Sequence, residues 1–139
     1  MKIEEIKKAF TEILAERNEI IASYLYGSVL YSDFYEDIDV GLLISDSFKP
    51  KLMYEAKVAG KLEKKLRNNF GEIKPVDVRI LNDKPLRFLF SMLKNSKIIY
   101  SSDEIKRVQF EAKIMKEYLD IKPHFEIYDK MRELRYANR

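Results

Sequence analysis

The sequence predicts an α/β fold, because helical and strand-like patterns of apolar residues alternate along its 139 residues. Apolar residues recur every three or four positions in some segments, which is typical of helices. In other segments they recur every second position, which is typical of strands. Pro50, Gly71 and Pro85 stand where one pattern gives way to the next. We therefore expect strands of one sheet to alternate along the chain with the helices that cover it.

The first helix and the first strand are predicted from the N-terminal part of the chain. The apolar stripe of the helix consists of Ile3, Ile6, Phe10, Ile13 and Leu14, and Asn18 marks its exit. The strand is the apolar run 20–26, which Gly27 and Ser28 close. Taken alone, Gly27 and Ser28 have the composition of an ordinary turn at the end of a strand.

The second helix is predicted to begin at Pro50 and to end at Gly71, the expected left-handed C-terminal cap. Its apolar stripe consists of Leu52, Ala56, Ala59, Leu62 and Leu66. We expect the basic residues on its opposite face, which are Lys57, Lys61, Lys64, Lys65 and Arg67, to be solvated. A third helix is predicted after residues 82–85, and a short strand over residues 97–100.

The C-terminal part of the chain is predicted to be helical. Ser101 and Glu104 have the spacing of a capping box, and the apolar stripe that follows consists of Ile105, Val108, Ala112, Met115 and Leu119. Pro123 interrupts this pattern, so we expect a second helix from about Phe125 to Tyr136, at an angle to the first. We expect a single domain over residues 1–139, with a core of residues 1–100 and a C-terminal helical region of residues 101–139.

Two aspartates occupy the polar side of a predicted strand over residues 37–44. Because side chains alternate along a strand, Asp37 and Asp39 point away from the apolar Ile38, Val40 and Leu42. Two carboxylates so close repel each other unless a cation lies between them. Oxygen ligands suit Mg²⁺, although solvated acids at the start of a strand remain an alternative.

A third aspartate lies in another alternating strand, predicted over residues 73–81. Asp77 and Arg79 share the face opposite its apolar residues. If this strand pairs with the strand of Asp39, three carboxylates converge, which is enough to hold two metal ions in phosphoryl transfer. The alternative is that Asp77 forms a salt bridge with Arg79 or Lys74.

A strand that ends in Gly-Ser, then an Asp-x-Asp strand, then a single Asp in a later strand resembles the nucleotidyltransferase superfamily that includes DNA polymerase β. In a chain of this length it resembles the minimal (MNT) branch, including its antitoxin members. The motifs cover residues 20–81. The resemblance implies a palm-like fold, with a mixed sheet flanked by helices and C-terminal helices.

The resemblance also implies roles for the residues that carry it. Gly27 and Ser28 would hold the triphosphate of ATP, since glycine lets the backbone approach a phosphate and serine adds a hydroxyl at a predicted helix start. Asp37 and Asp39 would bind Mg²⁺. Asp77 would be the third catalytic carboxylate and metal ligand.

The segment between Ser28 and Asp37 departs from the family, because it contains no Lys or Arg. The contacts to the triphosphate must then come from Arg79, from Lys74 or from a partner. Tyr31 and Tyr35, in the same segment, could stack on a base or a partner, or could pack over the edge of the sheet.

Three functions follow from the resemblance. The first is an antitoxin that transfers AMP from ATP, with two Mg²⁺ ions, to a tyrosine of a helical HEPN-type ribonuclease. The second is an inactive module of the same fold that neutralises such a partner by binding it. The third, an enzyme that modifies aminoglycosides, is disfavoured because the chain has no second substrate-binding domain.

Composition bounds these alternatives. The chain has no cysteine, which excludes disulfides and thiolate metal sites. No apolar run approaches the ~20 residues that span a membrane, so we expect a cytoplasmic protein without membrane contact. The net charge of +3, from 26 basic and 23 acidic residues, indicates a mixed surface, so nucleic acid is not the expected substrate. The length leaves no room for separate palm, fingers and thumb units of a processive polymerase.

Overall fold

The computed structural model describes residues 1–72 and 74–137, in which helices and strands alternate as predicted. The helices are α1 (Ile3–Leu14), α2 (Tyr54–Phe70), α3 (Leu86–Lys94) and α4 (Glu104–Ala137). The strands are β1 (Ile20–Tyr26), β2 (Ile38–Ile44), β3 (Val76–Ile80) and β4 (Lys97–Ser101). A single 3₁₀ turn, Ser28–Leu30, follows β1.

The four strands form one mixed sheet in the order β3-β2-β1-β4. Strand β1 is antiparallel to both β2 and β4, whereas β2 and β3 are parallel. A parallel pair needs a crossover connection, and α2 supplies it. The prediction of a mixed sheet flanked by helices is confirmed. Strand β3 is shorter than the predicted strand 73–81, whose residue Ile73 lies outside the described residues.

Helices cover the sheet on both faces. On the first face, α1 and α2 pack against alternate residues of β2 and β3; the buried side chains there include Ile6, Phe10, Leu14, Val58, Leu62, Leu66, Val40 and Val78. On the second face, α3 and α4 cover a smaller cluster, made of Ala22, Tyr24, Leu43, Leu81, Leu89, Met92 and Ile114. Asp39, which alternates with Val40 along β2, therefore projects toward the second face.

Helix α2 begins later than the sequence predicts. Leu52, expected in its apolar stripe, is 88% exposed, and Met53 has a left-handed backbone with φ 70°. Tyr54 begins the helix and is buried in the core of the first face, where its hydroxyl donates to the Glu19 carboxylate at 2.7 Å. The predicted cap is confirmed: Gly71 has φ 67°, and its N–H donates to the carbonyl of Arg67.

The predicted break at Pro123 is wrong, because α4 continues through this residue. Proline removes one helical N–H, so the carbonyl four residues earlier, that of Leu119, loses its usual partner. Both residues are exposed, and water can satisfy that carbonyl. There is accordingly no separate helix from Phe125 to Tyr136.

Contacts with α3 on both sides of the proline hold α4 in one piece. Before it, the rings of Tyr118 and Phe90 stack with centroids 3.7 Å apart. After it, Asp129 pairs with Arg87, whose guanidinium lies over the Phe125 ring. This packing favours a continuous helix over the bend that the sequence suggests.

The N-terminus of α4 also differs from the prediction. Asp103 caps the helix by accepting a hydrogen bond from the Lys106 N–H at 3.1 Å, whereas Ser101 ends β4. Ile114 faces the core, so all five residues of the predicted apolar stripe lie in solvent; they are Ile105, Val108, Ala112, Met115 and Leu119. No helix in residues 1–72 or 74–137 has the length and apolar character that crossing a membrane would require.

Candidate functional site

Strand register places three polar side chains in a row across the sheet. Tyr26, the last residue of β1, lies opposite Asp39 of β2, and Asp39 lies opposite Asp77 of β3. Residues directly opposite each other project from the same face of a sheet. Asp37 precedes β2 and is exposed. The predicted pairing of the two aspartate-bearing strands is thus present.

Gly27 lies directly against the carboxylate of Asp39. A Cβ atom at this position would sit 2.2 Å from Asp39 Oδ2, which is closer than atoms can approach. The backbone of Gly27 has φ 83° and ψ −162°, a conformation that only glycine adopts readily. Tight contact with an acidic side chain, and not only a turn, therefore accounts for this glycine.

Ser28 is exposed and begins the 3₁₀ turn that follows Gly27. The sequence suggests a helix N-terminus here, but the turn has only three residues. So few peptide units do not produce a significant helix dipole. The N–H groups of Leu30 and Tyr31 bond to the carbonyls of Gly27 and Ser28. What Ser28 offers an anion is therefore its hydroxyl and its local N–H.

The negative charges at this end of the sheet influence one another. Partial burial raises the pKa of the Asp39 carboxyl, and the carboxylates of Asp37 and Asp77 raise it further. Arg79 opposes these effects. It pairs with Asp77 through Nε and Oδ2 at 3.2 Å, so the salt bridge that the sequence left open is present. Both side chains of this pair are roughly half exposed, so the pair is worth at most about 1 kcal/mol and can readily exchange partners.

Lys74, the other candidate for binding a triphosphate, is used elsewhere. Its ammonium donates to the carbonyl of Tyr35 at 2.8 Å and lies 5.0 Å from the centroid of the Tyr35 ring. Tyr35 itself packs against the core of the first face. Tyr31, in contrast, is 68% exposed. The two tyrosines therefore differ: Tyr35 packs against the core, whereas the ring of Tyr31 is exposed enough to stack on a base or a partner.

Tyr26 is a site residue that the sequence did not single out. Its hydroxyl is buried and has no hydrogen-bond partner in the part of the chain that the structure describes. Burial, and then the charge of Asp39, raise the pKa of Tyr26 to about 12, so the phenol keeps its proton at neutral pH. An aromatic residue directly before the Gly-Ser pair was the signal available in the sequence.

The aspartates supply oxygen ligands, which is the donor set that Mg²⁺ prefers. Among residues 1–72 and 74–137, no three acidic or histidine side chains are placed closely enough to hold a metal ion by themselves. Mg²⁺ commonly binds one or two carboxylates and completes its shell with water and substrate phosphates. The residues therefore fit a metal that arrives together with a nucleotide, and not a preformed cage of three ligands.

Residues 8–105 match the protein family described as polymerase beta nucleotidyltransferases. The chain belongs to this family. The match includes the whole row of polar residues from Tyr26 to Asp77. No curated protein matches the chain at a significant level.

Solved structures extend the likeness to nearly the whole chain. The complex of tri-AMPylated Shewanella oneidensis HEPN toxin with MNT antitoxin superposes with a TM-score of 0.68 at 18% identity, over 93% of this chain and 98% of the other. A toxin-antitoxin complex with AMP-PNP superposes with a TM-score of 0.69 at 18% identity, over 91% of this chain and 98% of the other. The MntA-HepT toxin-antitoxin complex superposes with a TM-score of 0.67 at 17% identity, over 93% of this chain and 98% of the other. This nucleotidyltransferase therefore has the fold of MNT antitoxins.

Proposed function

We propose that this nucleotidyltransferase moves AMP from ATP to a tyrosine hydroxyl of a HEPN-type helical toxin, and so acts as an antitoxin. The observation that carries the proposal is the alignment of Asp39 and Asp77 across β2 and β3, beside Gly27. Carboxylates aligned on one face of a sheet, next to a close backbone approach, suit the metal-bound phosphates of a nucleotide.

Each site residue has a role in this proposal. Asp37 and Asp39 would hold Mg²⁺ together with the phosphates, and Asp77 would be the third ligand once the nucleotide is bound. Two Mg²⁺ ions bound there would supply positive charge to neutralise the phosphates during displacement. Arg79 leaves Asp77 for the triphosphate at little cost, because their salt bridge is exposed. Gly27 lets the phosphates come close to the backbone.

The transfer itself is an in-line displacement. The tyrosine oxygen of the partner forms a bond to the α-phosphorus of ATP, and the bond from that phosphorus to the bridging oxygen breaks. Pyrophosphate leaves with that oxygen. The proton of the attacking hydroxyl passes to the carboxylate of Asp77, which the release of Arg79 has freed to accept it.

A protein partner is supported by the outer surface of α4. Ten large apolar side chains of this helix are at least 37% exposed, which is unusual for a surface that faces only water; they are Ile105, Val108, Met115, Leu119, Ile121, Ile127, Tyr128, Met131, Leu134 and Tyr136. The structural neighbours are complexes with HEPN toxins. A helical partner suits a long, exposed helix with apolar residues along it.

The competing candidate is a module that neutralises its partner by binding alone. The pairing of Asp77 with Arg79 favours it, because this ion pair occupies a carboxylate that catalysis needs. The two candidates share the partner and differ only in whether a label is transferred.

The test uses α-labelled ATP and Mg²⁺ with this protein and a helical HEPN-type protein as its partner. We expect label on a tyrosine of the partner, and we expect the Asp77→Ala variant to lose the label, because the site then lacks one carboxylate that would hold the metal and the base that accepts the proton of the attacking hydroxyl. Asp33→Asn, a change of an exposed acid in the loop before β2, is the matched control and should label normally.

The partner should remain bound to Asp77→Ala in a pull-down, since Asp77 lies on β3 and is not one of the exposed apolar residues of α4. Partner binding without any label from the parent protein would favour the binding module. Label that appears on RNA or on an aminoglycoside in preference to the partner would overturn the proposed acceptor.

A further inference from the structure

A cavity of about 350 Å³ lies on the second face of the sheet, between the 3₁₀ turn and α3. Gly27 and Tyr26 form one wall, so the cavity begins where the carboxylate row ends. Phe88 and Tyr31 add two more aromatic rings, and the exposed Asn95 also lines the cavity. The volume is at the lower end of the range for small-molecule sites.

The aromatic rings around this cavity are held in position. Phe88 meets Tyr26 edge to face, with the ring centroids 6.0 Å apart and the planes at 83°. The hydroxyl of Tyr31 donates to the carbonyl of Asn95 at 3.2 Å, which ties this exposed ring to the end of α3. Aromatic rings around a cavity suit a flat ring system, because every base has a face that can stack on them.

Asn95 gives this cavity a polar edge with a defined direction. Its side-chain nitrogen donates to the carbonyl of Ser91 at 3.0 Å. This bond fixes the orientation of the amide, because the flipped amide would place its own oxygen against the Ser91 carbonyl oxygen. The side-chain oxygen, by contrast, accepts no hydrogen bond from any residue in the described ranges. A free amide oxygen selects a group that donates, such as the amino group of adenine.

We propose that this cavity holds the base of the bound nucleotide and that Asn95 selects adenine by accepting a hydrogen bond from its amino group. The inference rests on the proposed function, which already names ATP, and adds the residues that recognise its base. The phosphates then lie at Gly27 and the acidic row, and the base extends toward α3. Tyr31 stacks on the base, a role that the sequence left open.

The experiment compares ATP, ITP and inorganic tripolyphosphate, each with Mg²⁺, by calorimetry on the full chain. ITP differs from ATP in carrying an oxygen in place of the amino group. We expect the parent to bind ITP about tenfold more weakly than ATP, and tripolyphosphate more weakly than ITP. Asn95→Ala should lower the affinity for ATP to that for ITP and leave the affinity for ITP unchanged. Asn69→Ala, an exposed asparagine on α2, is the matched control and should change neither.

Tyr31 separates stacking from the selection of the amino group. Tyr31→Ala should lower the affinities for ATP and ITP by the same factor, several-fold for each. Tyr31→Phe should keep most of the affinity for both. The base-site inference is overturned if the parent binds ATP and ITP equally, or if Asn95→Ala keeps their ratio. It is also overturned if tripolyphosphate binds as tightly as ATP, although the phosphate site would then stand. Failure of all three ligands to bind would instead overturn the proposed function.

Discussion

The two faces of the sheet differ in how far helices cover them. On the first face, α1 and α2 bury side chains from all four strands, and Phe10, Leu62 and Leu66 are 0% exposed. On the second face, α3 and α4 leave the row at Asp39 and Asp77 open to solvent, with the Asp77 side chain 42% exposed. A single strand serves both faces, because side chains alternate along β2.

The residues that stabilise the fold and the residues of the candidate site therefore lie on opposite faces of the sheet. Residues with even numbers in β2, such as Val40, pack in the core, and the next residue along the chain reaches the candidate site. A change on the first face should therefore alter the free energy of unfolding, and a change in the acidic row should alter ligand binding. Each variant below is chosen to break or to sharpen that separation.

The largest effect is expected from Asp39→Asn or Asp37→Asn on the open face. Each should abolish Mg²⁺-dependent ATP binding in calorimetry, because the metal loses a charged ligand. The melting temperature should stay equal or rise, since each variant removes one of several carboxylates that repel one another. Variants that bind Mg-ATP as the parent does would show that the site is assigned wrongly.

The pH dependence of stability gives this first prediction a sign. Because the pKa of Asp39 is raised in the folded protein, its ionised form destabilises the fold, and protonation relieves this as the pH falls through the folded pKa. The advantage of Asp39→Asn over the parent should be greatest above that pKa. It should shrink as the pH approaches the ordinary value of 3.8. An Asp39→Asn variant less stable than the parent at neutral pH would contradict this account.

The next effect compares matched truncations on the two faces. Leu62→Ala on the first face should lower the free energy of unfolding toward the upper part of the range of about 2–5 kcal/mol for such changes. Leu89→Ala on the second face, where Leu89 is 7% exposed, should lie in the lower part. Urea unfolding of both variants measures the difference. Equal losses would mean that the two faces are packed alike.

The smallest effect concerns two glycines. Gly27→Ala should destabilise the fold by about 1–3 kcal/mol, because the new methyl group meets Asp39 and the backbone conformation suits glycine only. Gly60→Ala is its matched opposite: no atom lies within 4 Å of a Cβ there, and alanine should stabilise α2 by about 0.5–1 kcal/mol. Thermal unfolding compares them. A tolerated Gly27→Ala would break the link between this glycine and the acidic row.

Most elements of the fold could be predicted from local pattern alone. Alternation located β2 and the position of Asp39 on its polar side, and Gly71 marked the end of α2 because a left-handed cap needs glycine. The errors arose where a tertiary contact outweighed a local signal. Pro123 lies inside α4 because the helix is held to α3 on both sides of it, at Tyr118 and at Asp129.

The candidate site could be predicted less completely than the fold. The sequence supplied the six candidates that the structure now locates around one end of the sheet, which are Gly27, Ser28, Asp37, Asp39, Asp77 and Arg79. It did not supply Tyr26, whose buried hydroxyl depends on Phe88 and α3 packing beside it. It also left open Lys74 and Tyr35, because their contact joins residues 39 positions apart.

By itself, the sequence determined the alternation of helices and strands, the side of each strand that is apolar, and the presence of paired acids at strand starts. These properties follow from the periods of the helix and the strand, which are local. Only the tertiary structure decided that β2 and β3 align Asp39 with Asp77, that Gly27 touches this carboxylate, and that the predicted stripe of α4 stays exposed. The reason is that strand register and helix docking depend on residues far apart in the chain, which compete for the same surfaces.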